Sequence, residues 1–177
     1  DQAQPSAFDA AAYAQTFLQD RLPKLTTATE ATTLIAALRD NPTEAPQQLG
    51  RKVGVTRAST YFLKGRGRVV SVETASVGIS LQDDGQDPDI LLQTRPLFGN
   101  TVRDCTGLIA ASDFSNAQHF NDVSTTANRL IETGVMSELK QRAQPGGHLR
   151  FVGCAELSND AKAALPLKVI PIEVVFE

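Results

Sequence analysis

The side chains with the most to offer chemically lie between Arg95 and Asn121. Pro96-Leu97-Phe98-Gly99-Asn100-Thr101-Val102-Arg103-Asp104 is followed at short range by Asp113-Phe114-Ser115-Asn116. Guanidinium, carboxylate, carboxamide and aromatic groups are what hold hydroxylated ligands, because together they supply donors, acceptors and an apolar face. Phe98, Asn100, Arg103, Asp104, Asp113 and Asn116 therefore form the candidate ligand-binding set. The same groups also build structural networks. A buried Arg must be paired, and Asp104 or Asp113 can provide the carboxylate. Read as strand, Arg103 and Asp104 would point to opposite faces.

Other constellations carry less. Lys64-Gly65-Arg66-Gly67-Arg68 gathers three cations around two glycines. A phosphate loop needs a fuller glycine pattern and a helix directly after it, so a basic hairpin tip is the favoured reading. Asp83, Asp84, Asp87 and Asp89 lack the alternation and closing Glu of a calcium loop and read as a solvated turn. His119 and His148 have no flanking ligand pattern, so no metal site is expected. Cys105 with His119 could supply a nucleophile and base, but nothing nearby would activate the thiol. With no Gly-x-Ser-x-Gly elbow either, no catalytic residue and no cofactor is assigned. Cys105 and Cys154 are either two small buried hydrophobes or a disulfide. As a bridge they would close a loop of about 50 residues, worth about 3–4 kcal/mol in the loop-entropy model.

These residues sit in a chain of 177, of which 41% are hydrophobic and 21% charged. A length of this order suits one domain or two small units sharing a core, burying about 70% of the open-chain surface. Seventeen basic against 20 acidic side chains leave a net charge of −3. That balance argues against nucleic acid or an anionic membrane as the main partner, since both need a basic surface. No apolar run has the ~18 residues of a membrane span. Asp1–Ser6 lacks the basic start and apolar stretch of a signal peptide.

The elements that must position the polar segment change character near residue 50. Ser6 can cap a first helix bearing Phe8, Ala12, Tyr13, Phe17 and Leu18, with Pro23 ending it. Thr27-x-x-Glu30 reads as a capping box for a second helix with Leu34, Ile35 and Leu38 on one stripe. A short third helix with Pro46 and Leu49 completes a small helical subdomain, 1–50, whose narrow apolar faces need something to pack on. From Arg51 the spacing predicts strands over Ser59–Leu63, Arg68–Glu73, Ser76–Gln82, Ile90–Leu92, Leu108–Ala110, His148–Ala155 and Leu167–Phe176. Asp122 would cap one late helix running through Leu139, weakened at Gly134. Short strands with one late helix suggest a small, partly open β-barrel over 51–177, an α+β chain as a whole.

At these residues the sequence resembles a family, the predicted bacterial periplasmic lipoproteins of unknown function (DUF2291). The resemblance runs through Gly50-Arg51, Lys64–Val69, Phe98–Asp104, Asp113–Asn116, Phe151-Val152-Gly153 and Val169–Ile172, in order, over about residues 8–176. It departs at Ala117, where the family carries Gln, and at the two cysteines, which replace small residues. Their joint appearance favours a disulfide particular to this protein. The resemblance implies a helical subdomain joined to an OB-like barrel. It also implies an envelope location, with a signal peptide and a lipid-bearing Cys removed from this chain, so that any membrane contact is through that anchor. It further implies proximity to sugar-type ABC transporters, hence an accessory of solute uptake with a small sugar-like ligand or a transporter protein as partner. The alternative from another class is a structural adaptor that docks through its helical subdomain. An OB-type nucleic-acid binder or a hydrolase ranks below both.

Overall fold

The computed structural model describes residues 7–52, 58–158 and 165–177. Helix α1 (Ala10–Thr16) continues as a wider π-type turn over Phe17–Arg21. Its cap is Asp9, whose carboxylate accepts from the Ala12 N–H at 3.0 Å. Ser6, expected in that role, lies outside the described residues. Strand β1 (Thr29–Glu30), α2 (Ala31–Asp40), α3 (Ala45–Leu49) and β2 (Arg51–Lys52) follow. The capping box at Thr27 and Glu30 does not form. Glu30 sits at the cap position without a side-chain bond, because Thr29 and Glu30 are drawn into parallel pairing with Leu63 and Lys64.

The barrel is built from β3 (Ala58–Val72), β4 (Ser76–Ser80), β5 (Ile90–Gln93), then the helices α4 (Thr101–Asp104), α5 (Ala117–Thr133) and α6 (Val135–Arg142), and finally β6 (His148–Ser158) and β7 (Leu167–Phe176). Pairing runs β3–β4–β5–β7–β6 and returns from β6 to β3, with β5 and β7 parallel and the other pairs antiparallel. The β5 seam is short, only Ile90–Leu92 against Leu167–Val169, whereas β3 and β6 pair from Ala58/Ser158 to Arg68/His148.

The basic hairpin expected at Lys64–Arg68 is instead the middle of one long strand. Period-2 alternation explains it: Lys64, Arg66 and Arg68 face outward, and Gly65 and Gly67 face inward. A Cβ on Gly65 would come within 2.8 Å of the Phe151 ring, so the glycines give room to the barrel interior and are not turn signals. The cations have local partners. Lys64 lies 3.4 Å from Glu30, Arg66 donates to Glu177, and Arg68 donates to the carbonyls of Asp83 and Gly85. The acidic turn behaves as a turn, with Asp89 drawn inward to Arg39 at 2.5 Å and to the Leu81 N–H at 2.8 Å. Among the described residues no group of three or more potential ligands is placed to hold a metal.

Three apolar clusters result. Inside the barrel, Tyr61, Leu63, Val77, Ile79, Ile90, Leu92, Leu149, Phe151 and Val169 meet Leu34 and Leu38 of α2 and Leu139 of α6. Outside it, Ala14 packs with Ala127, Ile131 and Met136. A third cluster joins Phe17 and Leu22 to Phe62, Ile109, Val123 and the two cysteines. The late helix starts at Asn116, not Asp122, because Asn116 Oδ1 accepts from the His119 N–H at 2.9 Å. It also breaks at Gly134 into two helices, α5 and α6. Leu108–Ala110 is irregular chain and not a strand. No helix among the described residues is long and apolar enough to cross a membrane.

Tyr61, 2% exposed, has its hydroxyl pushed up to about 12 by burial, with Ser59 beside it tempering the rise. The folded state thus keeps this proton above pH 10, where the unfolded chain releases it. Its contribution is complete below pH 10 and disappears as pH climbs to about 12, a loss of about 2–3 kcal/mol. Urea midpoints at about pH 9 and about pH 11.5 should fall further for the native chain than for Tyr61→Phe. An equal fall in both would contradict this assignment.

Candidate functional site

A concavity beside the polar segment lies outside the barrel, where α1 crosses the start of α5. It measures about 650 Å³ and is lined by Phe8, Tyr13, Arg21, Asp113, Phe114 and His119 among others. Phe8 stacks on the His119 imidazole at 4.5 Å and meets Phe114 edge-on at 5.7 Å. Tyr13 lies 5.2 Å from Phe114, and Phe114 lies 5.6 Å from Phe120. These rings are partly exposed on one side and rest on the third apolar cluster on the other.

Polar groups converge on the same groove. Arg21 donates to the Leu108 carbonyl at 3.1 Å and to the Tyr13 hydroxyl at 3.4 Å. A guanidinium has five N–H donors, so it has further donors for a ligand, and the Tyr13 O–H is free to donate in turn. Asp113 accepts the Ala110 N–H through Oδ2 at 2.8 Å and lines the groove. Ser115 Oγ lies 3.2 Å from His119 Nδ1, while His119 Nε2 faces the Asn116 carboxamide nitrogen at 3.5 Å.

The six residues singled out from the sequence are not brought together. Asp113 lines the groove and Asn116 caps α5 at its edge. Arg103 and Asp104 stand behind it. They occupy a single helical turn, not a strand, and pair in bidentate fashion at 2.7 and 3.0 Å. Arg103 is 5% exposed, donates to the Phe120 carbonyl at 3.3 Å, and lies over the Phe120 ring at 3.6 Å. Arg103 therefore braces Phe120, which in turn abuts Phe114 in the groove wall. Asn100 flanks α4, its carbonyl accepting the Asp104 N–H. Phe98 projects into solvent elsewhere. Cys105 and Cys154 are joined as a disulfide with Cα atoms 6.3 Å apart, which leaves Cys105 no thiolate to offer His119.

In the sequence Phe8 and Tyr13 read only as part of a helix face, and nothing in it singles out Arg21. The signal for the two aromatics is their crowding with Phe17 around one short helix, which buries Phe17 fully and leaves Phe8 and Tyr13 half-buried.

Such a barrel, with its strand order and outer helices, is that of an OB-fold protein. The chain is similar to a crystal structure of an OB-fold protein from Thermotoga maritima, with a TM-score of 0.83 and 23% identity over 97% of this chain and 99% of that one. Over residues 1–175 it matches the family of predicted periplasmic lipoproteins, DUF2291, and it belongs to that family. The family description places it in the periplasm. Comparison with curated proteins finds no match.

Replacing Arg103 by Ala should lower stability by about 3 kcal/mol, because Asp104 would stay mostly buried without its counter-charge. Arg103→Lys keeps the charge but not the two-point geometry and should fall between. Urea denaturation measures both, and native-like midpoints for Arg103→Ala would refute the bracing role.

Proposed function

We propose that this periplasmic protein is a non-catalytic accessory that binds a small hydroxylated, sugar-like ligand in the α1–α5 groove. The observation that carries the reading is the aromatic wall of Phe8, Tyr13, Phe114 and His119 with Arg21 and Asp113 at its rim. Ring faces accept the C–H face of a sugar, while a guanidinium, a phenol and a carboxylate suit its hydroxyls. The volume lies within the range of small-molecule sites. The non-catalytic part rests on the same geometry. Ser115 and His119 are within reach of each other, but Asn116 turns its amide nitrogen to the far imidazole nitrogen while its oxygen accepts the His119 backbone N–H, and a donor there does not stabilise an imidazolium as the acceptor of a triad does. Beside a sugar-type ABC transporter, as the family resemblance implies, such a protein serves uptake. A helical docking unit at 1–50 is compatible with this, since α1 supplies one wall of the groove.

A thermal-shift panel of pentoses, hexoses, sugar alcohols and nucleosides tests the proposal. One sugar class at about 100 times its Kd should stabilise the chain by about 2.7 kcal/mol, a rise of several degrees. Tyr13→Ala and Asp113→Ala should abolish the shift. A silent panel, or a shift untouched by both variants, would set the groove aside in favour of a protein partner.

A further inference from the structure

Phe98 is 89% exposed, far beyond any other large hydrophobic among the described residues. The loop that carries it is nevertheless fixed. Leu97, buried, donates its N–H to the Glu132 carboxylate at 2.7 Å. The Gly99 carbonyl accepts from Ser124 Oγ and Asn128 Nδ2, both at 3.0 Å and both from buried side chains. Gly99 has φ +83°, and a Cβ there would meet nothing within 4 Å. The glycine thus serves the backbone conformation and not a close approach. On a loose loop Phe98 could fold back onto apolar surface; these three bonds hold it out. Rigid presentation also removes the ordering cost that an interface would otherwise bear.

Beside Phe98 lies a shallow hollow of about 330 Å³, floored by Leu97, Ala155 and Ile170, with Glu156 and Lys168 at its edge. One patch therefore holds a projecting ring and a recess, an acid and a base. A two-fold contact between identical copies asks that one patch carry both members of each pair, projection with recess and acid with base, and this patch carries them. We infer that Phe98 and the adjoining hollow form a self-association surface through which two copies of this chain pair. Each Phe98 enters the recess of the other copy, and Lys168 of each faces Glu156 of the other. With Glu156 and Lys168 cancelling at the rim, the patch offers an anionic bilayer no net charge attraction. The inference is independent of the ligand groove.

Sedimentation equilibrium on the full chain tests it. A monomer–dimer equilibrium is expected, with Phe98→Ala weakening association about tenfold or more while leaving the melting temperature unchanged at dilutions where both chains are monomeric. Lys168→Glu alone should weaken it as well, and Glu156→Lys combined with Lys168→Glu should restore it. A chain that stays monomeric up to about 1 mM overturns the inference. So does a dimer indifferent to Phe98→Ala, or one that the double reversal fails to rescue. Binding of the monomer to vesicles of anionic phospholipid, lost in Phe98→Ala, would also overturn it by assigning Phe98 to a membrane surface.

Discussion

The unbroken antiparallel pairing of β3 with β6 is the constraint on which the rest depends. It runs from Ala58 against Ser158 to Arg68 against His148 without a shift in register. Alternation along this ribbon assigns every side chain to one of two faces. Tyr61, Leu63, Leu149 and Phe151 go inside, where α2 and α6 complete the core. Phe62 and Cys154, opposite each other in the register, go outside to the cluster beneath the groove. A larger residue at position 65 would collide with Phe151, pushing the two strands' interior side chains apart. A slip of one residue would exchange the faces and bury Lys64, Arg66 and Arg68.

The groove inherits its rigidity from that ribbon in steps. Cys154 on β6 carries the disulfide to Cys105, immediately after α4. By the loop-entropy model a closure of this length contributes about 4 kcal/mol. The bridge fastens α4 to the barrel wall, and α4 holds Arg103 over the Phe120 ring. A buried, paired guanidinium against a ring face is a stiff contact, since moving it would expose both the charge pair and the aromatic. Phe120 abuts Phe114, the last link before the groove. The opposite wall is different. Phe8, just ahead of the Asp9 cap, and Tyr13 come from α1 and its lead-in, a helix of seven residues held by packing on α5. One wall is cross-linked to the barrel, while the other is held by packing and by the Arg21 hydrogen bonds to Tyr13 and the Leu108 carbonyl, so any opening of the groove should be a movement of α1.

The sequence disclosed most of the barrel because alternation is a local property. Val77 and Ile79, or Leu149 and Phe151, announce a buried face without reference to anything distant. It misled where one local pattern has two physical causes. Glycines between cations signal a turn when the chain reverses, but they equally signal an interior aromatic when it does not. Only the position of Phe151, far along the chain, separates the two. Thr27-x-x-Glu30 failed for a related reason, since pairing with Leu63 and Lys64 outweighed a cap worth about 1 kcal/mol. The polar segment stands out in the sequence, but nothing in it shows that its members part company. Arg103 and Asp104 satisfied each other, and the groove took its other wall from α1. No spacing rule shows that Phe8 will stack on His119.

That division between barrel and groove bears on what kinship can reveal. The Thermotoga maritima structure shares the fold along nearly the whole chain at 23% identity. Identity that low is enough to preserve a barrel, whose interior asks only for apolar side chains of suitable volume and glycines where strands crowd. The groove asks for more. Its chemistry rests on a handful of side chains around a short helix and an irregular loop, all outside the barrel interior. Those positions can change while the architecture stays, which is how one fold comes to serve many ligands. A ligand held as proposed would therefore be selected by Phe8, Tyr13, Arg21, Asp113, Phe114 and His119, and not by the strand order that places the chain among the OB folds.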